Sequence, residues 1–236
     1  MALIILVRHG QTDENVSGKI SGQGPAPLNA RGRQQAEATA GVLKDLGVDR
    51  ILTSPVLRAR QTADILAEHL QVETEDVDDL REVEYGDWEG KHFRDIRSDP
   101  IAQQVFNDPI KAVFPNGEGL QNVQQRGVRV IESTRQRYPQ GVIILVSHGD
   151  VIRTSLAHYL GMAFNDYRRL NLDNGAISVL ERFEDWVSVK VINFVPQVGK
   201  LWLDSFYPTW KQLQRHVHSP NGHGAKKPGQ RDEGNM

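Results

Sequence analysis

The same apolar run occurs twice in the sequence, and each copy is followed by a histidine and a glycine. Residues 4–10 read Ile-Ile-Leu-Val-Arg-His-Gly, and residues 143–149 read Ile-Ile-Leu-Val-Ser-His-Gly. Continuous runs of this kind are typical of strands buried on both faces of a parallel sheet. Ligands of open α/β sheets bind outside the carboxyl ends of such strands. If the two strands are adjacent, His9 and His148 face one crevice; the alternative is two unrelated strands that end alike.

The rest of the chain alternates between helical and strand patterns, which predicts a three-layer α/β/α sandwich with a mostly parallel central sheet. Asn29 is the expected cap of a helix whose apolar stripe ends at Leu46, and Ser54-Pro55 is expected to cap and open the next helix. Residues 91–115 are expected to form short helices over one end of the sheet. The remaining predictions are helices over 31–46, about 55–69, 120–137 and 150–160, and strands at 51–53, 176–182 and 186–194.

The sequence predicts three regions of different character. Residues 1–200 are expected to form the α/β domain, and residues 201–218 a C-terminal helical extension. Within the extension, the aromatic stretch 201–217 fits either a helix packed on the domain or the interface of a homodimer. Residues 219–236 are rich in Gly, Pro, Lys and Asn, which is typical of a disordered tail.

Charge and composition exclude several functional classes. With 28 basic and 30 acidic residues the net charge is −2, whereas dedicated nucleic-acid-binding proteins usually carry a clear basic excess. The chain has no cysteine, so disulfides and thiolate metal sites are excluded. The N-terminus lacks the pattern of a signal peptide, and no segment is long and apolar enough for a membrane span. We therefore expect a cytoplasmic protein without nucleic-acid or membrane partners.

Two arginines are expected beside the two histidines. Arg8 directly precedes His9, and Arg58 lies in the first turns of a helix whose N-terminus should face the same crevice. Guanidinium groups and helix N-termini both bind phosphate oxygens. These cations would repel a metal ion, so the pattern indicates a phosphoryl site without a metal or cofactor. Because nearby positive charge also keeps an imidazole neutral, a histidine here can act as a nucleophile.

A leaving alcohol needs a proton donor, and the acidic segment 80–90 offers several. General acid catalysis is typically worth ~10²–10⁴ in rate. Position in the sequence alone does not select one acid from this segment. The candidates are Glu82, Glu84, Asp87 and Glu89.

Four blocks of the sequence resemble the signature of the histidine phosphatase superfamily, in its phosphoglycerate-mutase-like branch. They occur in the family's order and together span about residues 3–182. The match is specific because it extends well beyond a single Arg-His-Gly. The blocks are Leu6 to Asn15, Ser54 to Ala63, Leu80 to Gly90, and Val146 to Gly149.

The resemblance implies a role for each matching residue. His9 matches the phosphorylated nucleophile and Glu82 the proton donor, which selects among the four acids. The residues expected to hold the phosphoryl group are Arg8, Asn15, Arg58, His148 and Gly149. Further substrate contacts are expected from Gln11, Thr12 and Ser21, although Ser21 stands where many members have a glutamine. Arg60 is about 200° around the helix from Arg58 and is expected at the surface.

Members of this family include phosphatases and sugar-phosphate mutases. Mutases typically carry a longer insertion between the donor acid and the second histidine, and here that gap is 148 − 82 = 66 residues. We therefore expect a phosphatase acting on a small phosphorylated metabolite, with a mutase or a non-catalytic phosphate-ester-binding module as alternatives. Residues 91–120 are expected to select the substrate. The segment offers a partly apolar pouch over the phosphate (Phe93, Ile96, Ile101, Phe106, Phe114), and also Lys91, Arg94 and Arg97 for a second acidic group. The alternative for all of these residues is ordinary packing and a solvated face.

Overall fold

A computed structural model describes residues 1–196, which form a six-stranded sheet with helices on both faces. The strand order is β3-β2-β4-β1-β5-β6, and β1, β2, β3 and β4 are mutually parallel. β5 and β6 add an antiparallel hairpin at one edge. The mostly parallel sandwich expected from the sequence is therefore confirmed. The strands are β1 (Ala2–Arg8), β2 (Arg50–Thr53), β3 (Thr74–Asp76), β4 (Val142–Ser147), β5 (Ile177–Arg182) and β6 (Val187–Phe194).

The two repeated runs lie side by side in this sheet. They form β1 and β4, which pair in parallel from Leu3 opposite Val142 to Arg8 opposite Ser147. Both strands end at the same edge, and the backbone N–H of His9 donates to the carbonyl of Ser147 at 3.0 Å. The adjacency inferred from the repeat is confirmed, and the alternative of two unrelated strands is wrong.

The predicted long helices are present but differ at some ends, the short helix Asp13–Ser17 was not predicted, and the segment 91–115 contains a single α-helix, Pro100–Asn107. The first long helix ends at Leu43, and Leu46 lies beyond it with 46% of its surface exposed. The prediction that Leu46 belongs to the apolar stripe of this helix is therefore wrong. Asn29 caps that helix as expected, by accepting from the backbone N–H of Gly32. The helices are α1 (Asp13–Ser17), α2 (Ala30–Leu43), α3 (Leu57–Leu70), α4 (Pro100–Asn107), α5 (Leu120–Arg137) and α6 (Gly149–Tyr159).

The start of α3 differs from the prediction. The helix begins at Leu57, two residues after the expected position, and its N-cap residue Val56 makes no side-chain cap. The Ser54 hydroxyl accepts from the backbone N–H of Val56 and also bonds His148 at 2.8 Å. Ser54 therefore contacts the second histidine instead of capping the helix.

Side chains alternate between the two faces of the sheet and fill two separate cores. In β1, Ile4 and Leu6 pack toward α5 and α6, whereas Ile5 and Val7 pack toward α2 and α3. This alternation follows from the two-residue period of a strand. Burial on both faces explains why β1 and β4 are apolar throughout.

A third apolar cluster lies beyond the sheet edge, next to the carboxyl ends of β1 and β4. It joins α4, the start of α5 and short 3₁₀ segments at Gly86–Trp88 and Phe164–Arg169. Trp88, Phe114 and Tyr167 are buried at its centre. The cluster supports the loops that surround the crevice at this end of the sheet.

Some sequence predictions fall outside the residues described. The C-terminal extension 201–218, its aromatic stretch 201–217 and the tail 219–236 all lie beyond residue 196. Within residues 1–196, no helix combines the length and apolar character that a bilayer crossing requires.

Candidate active site

The two histidines meet at the carboxyl ends of β1 and β4. The ring centroids of His9 and His148 are 5.1 Å apart, and both side chains are buried. Burial is the largest cause that lowers the pKa of each ring well below 6.5, and the Arg58 guanidinium is the next. Both imidazoles are therefore neutral near pH 7.

Two contacts define the protonation of the His9 ring. Nδ1 lies 2.7 Å from the carbonyl oxygen of Gly10, which can only accept, so Nδ1 carries the proton. Nε2 then has a lone pair, and it accepts from Nε of Arg58 at 3.1 Å. An unprotonated ring nitrogen beside a cation is the form of histidine suited to attack phosphorus.

Arg58 and Arg8 approach the histidine pair from different elements. Arg58 comes from α3, and its Nη2 donates to the carbonyl of Gly22 at 2.7 Å. Arg8 ends β1 and donates to the carbonyl of Leu172, while its Nε is buried without a hydrogen-bond partner. Nδ1 of His148 is buried and unpartnered as well. Buried polar atoms without partners are rare in folded proteins, so these two nitrogens indicate a ligand-binding position.

Glu82 is the acid that the structure brings to the histidines. Its Oε2 lies 4.0 Å from Nδ1 of His148, and its Oε1 accepts from the backbone N–H of Val83. Burial, followed by the nearby Asp150 carboxylate, raises the pKa of Glu82 from 4.5 to about 7. At neutral pH the carboxyl group can therefore both give and take a proton, as a general acid–base catalyst must.

The loop that carries Glu82 is anchored by a buried ion pair. Arg126 of α5 donates to the backbone carbonyls of Asp79, Arg81 and Glu82. The same guanidinium binds both carboxylate oxygens of Glu118, at 2.8 and 3.2 Å. Glu118 also accepts from the backbone N–H of Glu84 at 3.0 Å. This pair thereby positions the donor loop from both of its ends.

The other residues singled out in the sequence have different surroundings. Asn15, Ser21 and Gly149 line the same cavity as His9, and Gly149 opens α6 there. His148 is fully buried and is not among the residues that line the cavity. Thr12 is buried as the N-cap of α1, and neither Thr12 nor Gln11 lines the cavity. Their expected contact with substrate stays a prediction.

One cavity of about 420 Å³ joins these groups and opens outward. Phe93, Phe106 and Phe114 line it, in agreement with the apolar pouch expected from the sequence. Ile96 and Ile101 belong to the neighbouring apolar cluster. Lys91, Arg94 and Arg97 do not line the cavity, so the structure gives no support to the expectation that they bind a second acidic group. In the part of the chain that the structure describes, no three His, Asp or Glu side chains are grouped as metal ligands.

The sequence profile of the histidine phosphatase superfamily (branch 1) matches residues 4–195, which is most of the chain. The chain belongs to the histidine phosphatase superfamily. Relatives of this family cover the same region. The uncharacterized phosphatase PhoE of Bacillus subtilis is 33% identical over 82% of this chain and 95% of its own length. GpmB of Escherichia coli, named a probable phosphoglycerate mutase, is 34% identical over 80% of this chain and 89% of its own.

The solved structure of a similar protein agrees with this family assignment. Phosphoserine phosphatase of Entamoeba histolytica, crystallised as an H9A mutant with phosphoserine, superposes with a TM-score of 0.75. The match has 27% sequence identity and covers 82% of this chain and 97% of that chain. The family's fold, which the sequence resemblance implied, is thereby confirmed.

Sequence reasoning missed several polar residues of this histidine phosphatase's cavity. Tyr85 donates to Asp150 at 2.7 Å, and Arg153 pairs with Asp150 at 3.0 Å. Asp150 and Arg153 follow Gly149 in the first turns of α6, so their position after the fourth block could have indicated them. Arg168 also lines the cavity, from a 3₁₀ segment that carries no sequence signal. Arg60 is partly exposed and pairs with Asp64 and Asp76, as its helix position predicted.

Proposed function

We propose that this protein hydrolyses phosphate monoesters through a phosphohistidine formed on His9. The observation that carries the proposal is the unprotonated Nε2 of His9, which accepts from Arg58 in a cavity that Arg8, Arg58 and Glu82 also line. The unpartnered nitrogens of Arg8 and His148 supply donors for phosphoryl oxygens. Fixed donors around the transferring group are what a reaction without a metal requires.

In the first step, Nε2 of His9 attacks phosphorus and the bond to the ester oxygen breaks. Arg58 exchanges its contact with Nε2 for one with a phosphoryl oxygen, which frees the lone pair. Glu82 transfers its proton to the leaving oxygen, so the product departs as an alcohol. Asn15, the N-terminus of α6 at Gly149 and the neutral His148 hold the remaining phosphoryl oxygens.

In the second step, water attacks the phosphohistidine and the bond between phosphorus and Nε2 breaks. The Glu82 carboxylate accepts a proton from that water, which restores the acid and releases inorganic phosphate. A carboxyl group with a pKa of about 7 suits both directions of this transfer at neutral pH.

The test has two parts. The first is hydrolysis of 4-nitrophenyl phosphate with excess EDTA, and the second is trapping of the phosphorylated enzyme after reaction with a phosphate ester labelled on phosphorus. Wild type is expected to turn over with the chelator present and to carry an acid-labile, base-stable phosphoryl group after rapid quenching. His9→Ala is expected to lose both signals. His69→Ala is the matched control, since His69 is an exposed residue on α3. Label retained in His9→Ala would refute the assignment of the nucleophile.

A mutase is the second candidate, and the similarity to GpmB favours it. The phosphatase is preferred because PhoE and the Entamoeba enzyme are named phosphatases and because the donor-to-histidine gap is short. Bisphosphate-dependent exchange between phosphoglycerate isomers that exceeds hydrolysis would establish a mutase. Tight binding of an ester with neither reaction would establish a binding module.

The proposal also includes a class of substrate. The relative solved with phosphoserine supports a small phosphorylated metabolite as the substrate. The cytoplasmic location stays a prediction, and so does the homodimer, which is one of the two alternatives for residues 201–217. Gel filtration with light scattering measures the oligomeric state directly.

A further inference from the structure

The active-site cavity continues outward from the histidine pair into an apolar compartment. We call this compartment the outer chamber and define it by Ile20, Trp88, Phe93, Val105, Phe106 and Phe114. Trp88, Val105 and Phe114 are buried and form its base, with the Trp88 and Phe114 rings in edge contact at 5.2 Å. The chamber adjoins the phosphoryl end, so it lies where the alcohol part of an ester extends.

Two phenylalanine rings of the outer chamber are exposed to solvent. Phe93 is 45% exposed and Phe106 is 47% exposed, although both line the cavity. They come from the loop before α4 and from the end of α4, and they meet edge to face at 5.5 Å. Aromatic rings bury a large area and favour defined ring–ring geometries. An aromatic ligand in the chamber would supply the burial that these two rings lack.

Arg168 forms one side of this aromatic surface. Its guanidinium lies 4.8 Å from the centre of the Phe106 ring. It donates to the carbonyl of Val105 at 3.1 Å and to the hydroxyl of Tyr167 at 2.9 Å. Across residues 1–196 it forms no ion pair with a carboxylate. A planar cation held in this way fixes the orientation of Phe106 and favours flat, electron-rich groups nearby.

Arg153 and Asp150, which also line the cavity, do not favour a second anion on the substrate. Arg153 lines the cavity, but Asp150 already neutralises it. The Asp150 carboxylate faces the same space and would repel a carboxylate or a second phosphate. The cationic segment at Lys91, Arg94 and Arg97 lies outside the cavity. Lys19 also lines the cavity and forms no ion pair within residues 1–196. The six residues that define the outer chamber are nevertheless apolar, and the charges of Arg153 and Arg168 beside it are paired or stacked.

We propose that the outer chamber binds the alcohol part of the substrate and that this part carries a planar aromatic or heteroaromatic ring. The proposal rests on the proposed phosphatase activity, because the ring is placed by the ester bond to the phosphoryl group. Phe93 and Phe106 are then specificity-determining residues that contact the ring.

The test compares esters whose leaving alcohols have similar reactivity. Ethyl, cyclohexylethyl and phenethyl phosphate all release primary alkyl alcohols, so differences in KM report binding of the distal group. We expect phenethyl phosphate to show a KM about tenfold below that of ethyl phosphate, given the usual strength of aromatic contacts. The cyclohexylethyl ester is expected to fall between them, since it is apolar but not planar.

Variants show whether the chamber causes this preference. In Phe106→Ala, and separately in Phe93→Ala, the KM ratio of the ethyl to the phenethyl ester is expected to fall toward one. Phe183→Ala is the matched control, because Phe183 is an exposed phenylalanine that does not line the cavity, and there the ratio should stay near tenfold. Thermal unfolding of each variant checks that the fold is retained.

Three results would overturn the proposal. They are equal KM values for the three esters, a lower KM for the anionic ester 3-phosphoglycerate than for the phenethyl ester, and an unchanged ratio in both chamber variants. Failure of the proposed function is distinguishable, because wild type would then hydrolyse none of the esters. In that case calorimetric binding of phenethylphosphonate, compared with ethylphosphonate, still tests the chamber, and equal affinities would refute it.

Discussion

Replacing Glu82 by glutamine should weaken catalysis and stabilise the fold at alkaline pH. The Glu82 side chain is only 12% exposed, and its pKa is raised from 4.5 to about 7 by burial and by Asp150. The folded state therefore holds the proton more tightly than the unfolded state does. The contribution of protonated Glu82 to the free energy of unfolding is fully present below about pH 4.5 and is lost as the pH rises through 7.

The size of the effect follows from the two pKa values. Each pH unit between 4.5 and about 7 corresponds to ~1.36 kcal/mol, so ionised Glu82 lowers the free energy of unfolding by about 3 kcal/mol at pH 8. Glutamine is neutral at every pH and avoids this cost. Urea unfolding should therefore show Glu82→Gln and wild type at nearly equal stability at about pH 4.5, with the variant about 3 kcal/mol more stable at about pH 8.

The catalytic part of the same prediction depends on the leaving group. Without its proton donor, the variant should lose ~10²–10⁴ in kcat on an alkyl phosphate and much less on 4-nitrophenyl phosphate, whose phenolate leaves unaided. Glu84→Gln is the matched control, since Glu84 is exposed two residues away. Equal losses on both esters, or a stability difference that does not change with pH, would show that the reasoning about Glu82 is wrong.

Two further variants test how the site is built. Arg126→Met should lower the free energy of unfolding by ~1–3 kcal/mol, because it removes the cation paired with the partly buried Glu118 carboxylate. It should also reduce kcat on alkyl phosphates more than it changes KM. A variant with full kcat would contradict the positioning role of Arg126. Gly10→Ala should destabilise the fold by ~1–3 kcal/mol and reduce activity, since its Cβ would lie 2.3 Å from the carbonyl oxygen of Gly32. Gly41→Ala is the control, because Gly41 is an exposed residue of α2 and an added Cβ would have no atom within 4 Å. This variant should stabilise the fold by about 0.5–1 kcal/mol. Equal unfolding midpoints for the two variants would refute the steric argument.

The central part of the site was predictable because it depends on backbone topology. Parallel strands that end alike place the residues after them at one edge, so the repeated run predicted that His9 and His148 meet. The role of Glu82 was not derivable in this way, because four acids share its segment. Its selection came from the family resemblance, and the structure brings its carboxylate within 4.0 Å of His148.

What the sequence did not predict depends on side-chain packing. Ser54 has the sequence pattern of a helix cap, but its hydroxyl bonds His148, which no local rule anticipates. Arg168 reaches the cavity from a segment without periodicity, and its stacking on Phe106 requires contacts between distant parts of the chain. The pairing of Arg126 with Glu118 has the same origin, since it joins α5 to a turn and to the donor loop.

The proposed catalytic residues and the proposed specificity residues lie in parts of the fold that differ in their support, because the histidine pair follows β1 and β4. These two strands are the middle pair of six, with further strands on both sides, whereas Phe93 and Phe106 come from a loop and the end of an eight-residue helix outside the sheet. Edges and short peripheral helices fray before a sheet's middle opens. Moderate heating should therefore abolish the difference in KM between esters before it abolishes hydrolysis at the histidine pair. The enzyme would then be active but less selective.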